Sequence, residues 1–209
     1  LLWVLLLKWV PPITTPLMVH RAVEFRSDKD FHTRYKWVPY SRMSPELARA
    51  VIASEDNLFL QHDGFDRGAI KQAIKEKKEG RNLRGASTIS QQTAKNVFCS
   101  PNRSWVRKAF EAYFTVLIEW IWGKRRILEV YLNVAEMGKG IYGAQAAAKA
   151  YWGENASEVS RRQACLIAAC LPSPLRRSPV RPGDYTSRRA TAIASLESKL
   201  SYPDWIYHK

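Results

Sequence analysis

Two adjacent carboxylates, Glu55 and Asp56, stand at the end of a stretch whose apolar residues have helical spacing. A carboxylate at this end of a helix gains nothing from the helix dipole, which favours negative charge at the opposite end. An apolar cleft around Glu55 would disfavour its charged form and suit it to act as a general base or acid near neutral pH. Two structural alternatives stay open: a solvated helix end, and an ion pair with a nearby arginine.

A second set of polar side chains follows a glycine, in residues 85–96. Ser87 and Thr88 come at the start of a predicted helix, where backbone amides and hydroxyls can hold an anion or a polar ligand. Side chains with amide or ammonium donors cover the next one and a half turns: Gln91, Gln92, Lys95 and Asn96. Lys95 lies one turn after Gln91 and therefore on the same face. The alternative is an ordinary polar helix surface.

A third segment, residues 103–111, mixes basic and acidic side chains. Arg107 is four residues and Lys108 three residues before Glu111, so a surface salt bridge is the simplest interpretation. Aromatic neighbours such as Trp105 indicate instead that part of this turn faces protein. Arginine and lysine beside a carboxylate could also hold a diphosphate.

The chain is strongly basic, with 33 Lys and Arg against 19 Asp and Glu and a formal net charge of +14. Such an excess indicates an anionic partner: nucleic acid, anionic lipid headgroups or a phosphorylated substrate. The cysteines Cys99, Cys165 and Cys170 form no C-x-x-C pair and indicate neither a disulfide framework nor a zinc site. Cys165 and Cys170 lie in an apolar run, where a buried free thiol is the ordinary interpretation.

The elements that must position these side chains are almost all helical, because apolar residues recur at three- and four-residue intervals. Ser44, Pro45 and Glu46 combine a capping hydroxyl, a first-turn proline and an acidic residue, which together predict a helix start. Further helices are predicted over residues 65–78, 87–98, 104–122, 124–135, 143–151, 157–171 and 185–200. Ser87 is the predicted cap of the helix that starts there, and a short strand is predicted near residues 36–39. The pattern predicts a mainly α fold.

Residues 1–10 are mostly apolar and include Trp3 and Trp9, which suit a membrane interface. A spanning helix needs roughly 20 apolar residues, and the sequence does not begin with methionine. We therefore expect this segment to be the outer end of a transmembrane helix that continues upstream. A buried core helix or a signal-peptide remnant is the alternative. Pro11 and Pro12 would end any helix here.

Sequence blocks in a fixed order resemble the signature blocks of the peptidoglycan glycosyltransferases, glycosyltransferase family 51. They are E-D-x-x-F-x-x-H-x-G (55–64), G-x-S-T-I-x-Q-Q-x-x-K-N (85–96), R-K-x-x-E (107–111), I-L-E-x-Y-L-N (127–133) and a last block over 161–172. Each block alone is modest evidence, but their common order argues against chance agreement. The chain contains no S-x-x-K acylation motif, so it resembles the monofunctional members rather than the bifunctional class A penicillin-binding proteins.

The resemblance implies a lysozyme-like α-helical lobe with a smaller, membrane-facing jaw lobe. In this chain it implies the end of a transmembrane anchor at residues 1–10, a linker leading into the domain at 11–43, and a glycosyltransferase domain at 44–209. The jaw portion would cover roughly residues 65–100. Within it, residues 79–86 would form a mobile cover over the donor site.

The resemblance also implies roles for single residues. Glu55 would be the base that deprotonates the acceptor sugar 4-hydroxyl, and Glu111 a second carboxylate that orients cations, binds a divalent metal or tunes the site. Positive charge for the leaving diphosphate would come from Lys95, Arg103, Arg107 and Lys108. Positioning of sugars and phosphate, or support of the cleft, would fall to Ser87, Thr88, Gln91 and Gln92. Supporting roles would fall to Asp56, Phe59, His62, Asn96 and Asn133.

The implied reaction requires no cofactor, and no metal site is firmly assigned, although Mg²⁺ or Mn²⁺ could accompany the diphosphate. The implied partners are lipid II, the growing lipid-linked glycan and the membrane, but no nucleic acid. Cell-wall synthesis or division proteins could dock through the transmembrane segment. The implied location is the bacterial cytoplasmic (inner) membrane, as a single-pass protein with its catalytic domain on the periplasmic side.

Two other functions are compatible with parts of the sequence. A lysozyme-like glycan hydrolase or lytic transglycosylase would use Glu55 as general acid. The basic set at residues 95–108 distinguishes the two reactions, because a diphosphate leaving group needs positive charge and an uncharged glycan does not. A non-enzymatic nucleic-acid or membrane-binding module would gather its Lys and Arg on one face with exposed aromatics. Here the basic residues are spread along the chain, which disfavours that module.

Overall fold

The computed structural model describes residues 1–80, 87–101 and 104–207. Helices dominate these residues, which confirms the predicted mainly α fold. The helices are α1 (Leu2–Leu7), α2 (Pro16–Glu24), α3 (Pro45–Glu55), α4 (Arg67–Lys78), α5 (Ile89–Phe98), α6 (Trp105–Val134), α7 (Gly143–Trp152), α8 (Arg161–Cys170) and α9 (Asp184–Glu197). Short 3₁₀ turns cover Tyr40–Arg42 and Asp204–Tyr207. Most of the predicted cover loop, residues 81–86, lies outside the described residues.

Helix α3 begins where the sequence predicts and ends at the candidate base. Ser44 Oγ accepts a hydrogen bond from the Glu46 amide at 3.4 Å, and Pro45 occupies the first turn. The helix buries Leu47 and Ile52 among side chains of α6, α8 and α9. Because this apolar face is held on three sides, the last turn of α3 has a fixed position in the core.

Helices α4 and α5 both start slightly later than predicted. Asp66 caps α4 by accepting a hydrogen bond from the Ala69 amide at 2.8 Å, so the helix begins at residue 67 rather than 65. The predicted Ser87 cap of α5 is wrong, because Thr88 is the N-cap. Thr88 Oγ1 accepts from the Gln91 amide at 3.1 Å, and Gln91 Oε1 accepts from the Thr88 amide at 3.0 Å. This reciprocal capping box needs Glu or Gln three residues after the cap, and Ser87 has Ser90 there.

Helix α6 consists of two helical segments that meet at Gly123. The glycine has φ 74° and ψ 165°, which are not helical values. The two helices predicted over 104–122 and 124–135 correspond to these segments. The first segment leads from the basic cluster of residues 107–111, and the second forms the centre of the core with Leu128 and Leu132 fully buried.

A small sheet joins α6 to α7. Its strands are β1 (Arg34–Tyr35), β2 (Glu136–Gly138) and β3 (Ile141–Tyr142), in the order β1-β3-β2, with β1 parallel and β2 antiparallel to β3. The strand predicted at 36–39 is therefore displaced to 34–35, and β2 and β3 were not predicted because they are too short to show alternation. Gly143 follows β3 with φ +78°, and a Cβ there would lie 2.2 Å from the Asn133 carbonyl oxygen.

The N-terminal residues pack against α6. Val4 and Leu7 are buried, Trp122 Nε1 donates a hydrogen bond to the Val4 carbonyl at 2.8 Å, and Arg126 Nη2 donates to the Leu7 carbonyl at 2.8 Å. Within the described part of the chain, no helix has both the length and the apolar character needed to cross a membrane. The predicted free, buried state of Cys165 and Cys170 is confirmed.

Candidate active site

Glu55 lies in the last turn of α3, and its side chain is 12% exposed. It lines a cavity of about 570 Å³ together with residues of α4 and with Ser87 and Thr88. Glu55 Oε1 accepts a hydrogen bond from Ser54 Oγ at 3.1 Å, and Oε2 accepts one from Gln92 Nε2 at 3.2 Å. Both carboxylate oxygens thus accept hydrogen bonds, an arrangement that suits Glu55 to act as a proton acceptor.

Gln92 connects Glu55 with a second cavity. Gln92 Oε1 accepts a hydrogen bond from the Tyr131 hydroxyl at 3.3 Å, which leaves Nε2 to face Glu55. Burial raises the pKa of Tyr131 well above its ordinary value, so this hydroxyl keeps its proton at neutral pH. Gln92 and Tyr131 also line a cavity of about 350 Å³ whose wall includes Lys95 and Asn96. A single amide side chain therefore lies between the carboxylate and the lysine cavity.

Lys95 brings positive charge to this second cavity. Within the described ranges, no carboxylate oxygen lies within 4 Å of its ammonium nitrogen, and the nearby Glu111 is paired with Arg107 and Lys108 instead. Burial lowers the pKa of Lys95; Arg107 and Lys108 lower it further, and Glu111 raises it. A partly buried ammonium without a carboxylate partner has lost part of its hydration, which an anionic ligand would replace. The cavity is therefore suited to bind an anion.

Glu111 is a buried carboxylate held by two cations. Its side chain is 3% exposed, Arg107 Nη1 donates to Oε2 at 2.6 Å, and Lys108 Nζ donates to Oε1. The ion pairs indicated by the sequence spacing are present, but their carboxylate is buried rather than on the surface. Glu111 thereby keeps two further positive charges close to Lys95.

Asp56 links the last turn of α3 to the start of α5. Asp56 Oδ2 accepts a hydrogen bond from the Ile89 amide at 3.0 Å, and Oδ1 lies 2.9 Å from His62 Nε2. His62 Nδ1 accepts from the Gly64 amide at 3.1 Å, so the imidazole proton belongs on Nε2, which donates to Asp56. Phe59 is fully buried and lies edge-on to the imidazole. This network holds together the two segments that carry the candidate base and the candidate cation.

Arg189 of α9 also lies beside Glu55, although no sequence pattern pointed to it. Its Nη2 is 3.7 Å from Glu55 Oε1 and donates to the carbonyl and hydroxyl oxygens of Ser54 at 3.3 and 3.2 Å. An arginine partner for Glu55 was one of the open alternatives. Arg189 follows Ser54 by 135 residues and lies outside the blocks that carry the family resemblance, so local spacing could not identify it.

Comparison with known proteins identifies the family of this chain. Residues 22–197 match the sequence profile of a protein family described as Transglycosylase. The matched range contains Glu55, Lys95, Glu111 and Arg189. The chain belongs to the transglycosylase family.

Close relatives of this transglycosylase share a name, biosynthetic peptidoglycan transglycosylase. The protein from Bacteroides thetaiotaomicron is 51% identical over 197 residues, which cover 94% of this chain and 79% of the relative. The protein from Caulobacter vibrioides is 50% identical over 190 residues, covering 91% of this chain and 81% of the relative. One from Pseudomonas putida is 49% identical over 204 residues, covering 97% and 86% respectively.

Thr88 and Gln91, which were predicted to bind ligand at the start of α5, form hydrogen bonds within the transglycosylase instead. Thr88 Oγ1 accepts from the Gln91 amide and donates to the Gly64 carbonyl at 2.7 Å. Gln91 is buried, and its Oε1 accepts from the Thr88 amide. Ser87, in contrast, is exposed and lines the Glu55 cavity. Thr88 and Gln91 therefore fix the helix start, whereas Ser87 and Gln92 reach the cavities.

The remaining predicted residues have different surroundings. Asn133 is buried away from both cavities; its Oδ1 accepts from the Val38 amide and its Nδ2 donates to the Val38 carbonyl, both at 2.9 Å. Asn96 lines the Lys95 cavity. Arg103 lies outside the described residues.

The Lys95 cavity also has a wall that comes from the predicted linker. Leu17 and Arg21 of α2 line it, together with Glu136 of β2. Arg21 Nε lies 3.1 Å from a Glu136 carboxylate oxygen. Burial raises the pKa of Glu136, and Arg21 opposes that rise. The segment before residue 44 is thus packed against the Lys95 cavity.

A metal site would need several ligand side chains that converge on one point. In the described ranges, no three His, Cys, Asp or Glu side chains converge as a metal site would require. Glu111, the carboxylate considered as a metal ligand, has both oxygens in ion pairs. The positive charge near the Lys95 cavity comes from lysine and arginine side chains.

Proposed function

We propose that this transglycosylase polymerises the glycan strands of peptidoglycan, with lipid II as acceptor and the growing lipid-linked glycan as donor. The proposal rests on the position of Gln92, which donates a hydrogen bond to Glu55 and lines the cavity that contains Lys95. A proton acceptor and an anion site thus stand side by side, as transfer from a diphosphate donor requires. The relatives' shared name supports the same reaction.

In the proposed reaction, the acceptor sugar 4-hydroxyl gives its proton to Glu55 while its oxygen attacks the donor anomeric carbon. The bond between that carbon and the diphosphate oxygen breaks, and undecaprenyl diphosphate leaves with the bonding electron pair. Attack opposite to the leaving group inverts the anomeric configuration. A base positioned in this way contributes about 10²–10⁴ in rate.

The leaving diphosphate would be stabilised by Lys95, Arg107 and Lys108, joined by Arg103 as the resemblance implies. Positive groups that are already in place lower the barrier because they need no reorganisation when negative charge develops. Lys95 suits this role since its ammonium has no carboxylate partner within the described ranges. The proposal requires no cofactor, and a divalent cation would have to be held mainly by the phosphate oxygens.

An exposed apolar stripe on the first segment of α6 supports a position at the membrane surface. Val106, Phe110, Tyr113 and Trp120 follow helical spacing, and Trp105 and Trp120 are 91% and 81% exposed. A contiguous patch of this kind on a soluble domain usually contacts lipid or another protein. With the net charge of +14, the stripe fits the anionic bacterial cytoplasmic membrane, with the domain on its periplasmic face and a transmembrane anchor upstream.

A lysozyme-like hydrolase is the second candidate, because Glu55 could also act as a general acid. Two observations favour the transferase. Ser54 and Gln92 donate hydrogen bonds to the two carboxylate oxygens of Glu55, and Arg189 lies beside it; this arrangement suits a proton acceptor, whereas a general acid must donate a proton. Cleavage of an uncharged glycan would also leave Lys95 without a function.

The proposal is tested by incubating the detergent-solubilised protein with labelled lipid II and measuring both polymer and released undecaprenyl diphosphate. We expect the parent to make both, and Glu55→Gln to make neither while retaining helicity and lipid II binding. Glu158→Gln, an exposed position away from both cavities, is the matched control and should retain activity. Chelation with EDTA should also leave polymerisation intact. Cleavage of preformed glycan without any polymer would replace the proposal with the hydrolase.

A further inference from the structure

The Glu55 carboxylate lies where two features disfavour a negative charge. It belongs to the last turn of α3, whose unpaired carbonyl groups carry partial negative charge. Its side chain is also largely removed from water, at 12% exposure. A base at this position therefore needs a partner that stabilises the anion.

Arg189 of α9 has the geometry of that partner. Its guanidinium stands 3.7 Å from Glu55 Oε1, is 31% exposed, and within the described ranges has no other carboxylate within 4 Å. It also donates to the Ser54 carbonyl, one of the terminal carbonyls of α3. The positive charge of Arg189 thus offsets both the partial negative charge at the end of α3 and the loss of water around Glu55.

Ser54 provides a second connection between the two side chains. Arg189 Nη2 donates to Ser54 Oγ at 3.2 Å, so the hydroxyl proton of Ser54 points elsewhere. Its acceptors within reach are Glu55 Oε1 at 3.1 Å and the Ala168 carbonyl at 3.2 Å. Arg189 therefore restricts the Ser54 hydroxyl proton to these two acceptors, one of which is the Glu55 carboxylate.

We propose that Arg189 is a positioning residue for Glu55, which it holds in the anionic, proton-accepting form and, through Ser54, in the orientation that places Oε2 on Gln92. This inference rests on the proposed function, because it concerns the base of that reaction. After Glu55 has taken the acceptor proton, the same positive charge disfavours the neutral acid. Arg189 thereby promotes release of the proton and returns the site to its starting state for the next sugar.

The other titratable groups around this carboxylate do not supply positive charge. Asp56 is its neighbour in the chain, and Tyr131 faces it from α6 as a neutral hydroxyl. Asp66 and Glu76, at the start and within α4, line the same cavity. Within the described set, the cation facing the carboxylate is Arg189.

The test compares Arg189→Gln and Arg189→Lys with Arg188→Gln, which removes the same charge from the exposed neighbouring position of α9. The kcat/KM for lipid II is measured between about pH 5 and pH 8. We expect the parent-to-R189Q ratio to grow from the alkaline to the acidic end of this range, because a carboxylate that has lost its neighbouring cation takes up a proton more readily. R189K should restore most of the parent's pH dependence, and R188Q should retain all of it.

A purely structural role of Arg189 would give a different result. Loosening of α9 would lower the melting temperature and reduce kcat/KM by the same factor at every pH, and a pH-independent ratio would overturn the proposal. A readout that needs no activity is the NMR titration of ¹³C-labelled glutamate carboxyls, with Glu55→Gln identifying the Glu55 signal. R189Q should move that titration to higher pH, and an unmoved signal would also overturn it. If the titration moves but the parent makes no polymer, the proposed function fails while the effect of Arg189 on Glu55 stands.

Discussion

The side chain of Asp56 accepts a hydrogen bond from the backbone amide of Ile89 at 3.0 Å. Asp56 follows Glu55 directly, and Ile89 is the first residue of the helix that carries Gln92 and Lys95. One carboxylate therefore fixes the spacing between the proposed base and the proposed diphosphate site. The dependence of catalysis on this spacing is open to direct test.

Replacing Asp56 with alanine should lower both stability and activity. The Ile89 amide and His62 Nε2 would lose a charged acceptor in a buried place, which costs about 2–3 kcal/mol in the free energy of unfolding. Displacement of α5 relative to Glu55 should reduce the polymerisation rate by about 10². Urea unfolding and initial rates measure the two effects. Asp63→Ala, at an exposed position between α3 and α4, is the control, and equal unfolding curves for both variants would contradict the prediction.

Replacing Lys95 with methionine should strongly slow polymerisation but stabilise the fold at neutral pH. Burial lowers the pKa of Lys95 below that of the unfolded chain, so its charged form costs free energy at every pH below the folded pKa. That cost fades as pH rises through the folded pKa towards the unfolded one. The stability gain of Lys95→Met should therefore be largest at neutral pH and shrink in alkaline solution.

Urea unfolding at several pH values, together with lipid II polymerisation, measures these opposite effects. Loss of the cation from the anion site should reduce the rate by about 10²–10³. Lys71→Met, at an exposed position of α4, should change neither quantity. A Lys95→Met protein that is less stable than the parent at neutral pH would show that the ammonium is well solvated after all.

Alanine substitutions at Gly123 and Gly153 should lower the free energy of unfolding by different amounts, although a Cβ at either position meets no atom within 4 Å. Gly123, with φ 74° and ψ 165°, occupies a region that is essentially restricted to glycine. Gly153, with φ 75° and ψ 5°, is a left-handed helix cap that costs other residues less. We expect Gly123→Ala to lower the free energy of unfolding by about 2–3 kcal/mol, and Gly153→Ala by about 1 kcal/mol. Thermal or urea unfolding ranks the two, and the reverse order would contradict the prediction.

Polar substitution of Trp105 and Trp120 should weaken membrane binding without unfolding the protein, because both indoles are exposed. Loss of one inserted tryptophan should weaken binding to anionic vesicles by about tenfold. Cosedimentation of Trp105→Ser, Trp120→Ser and the double variant measures the effect. Val180→Ser changes an exposed apolar residue outside the stripe and should bind like the parent. Unchanged binding of the double variant would exclude the stripe as the lipid contact.

Local signals in the sequence predicted the helices well and their starts less well. Ser44, Pro45 and Glu46 predicted the start of α3 because capping depends on residues that are adjacent in the chain. The sequence around Ser87 also contained the signal for the correct cap. Gln91 stands three residues after Thr88 and completes its capping box. The strands β2 and β3 gave no signal, because segments of two or three residues cannot show alternation.

The site was predictable where its residues come from the blocks that resemble the glycosyltransferases. Glu55, Lys95 and Glu111 lie in such blocks. In the structure Glu55 lines one cavity, Lys95 lines a second cavity beside Gln92, and Glu111 lies close enough to Lys95 to raise its pKa. Arg189 was not predictable, because its contact with Glu55 depends on how α9 packs beside α3. Burial of Glu111 could not be inferred either, since spacing identifies an ion pair but does not show on which face of the helix it lies.

The contacts between the N-terminal residues and α6 have a consequence for how the chain is made. Val4 accepts its hydrogen bond from a tryptophan 118 residues later, and Leu7 from an arginine 119 residues later. During synthesis, these carbonyls and the apolar side chains beside them have no native partner until the kinked helix has left the ribosome. A nascent chain that stops before Trp122 would display them to water, to lipid or to a chaperone. Contacts of such long sequence separation also form late in refolding, so α1 should be among the last elements to become ordered.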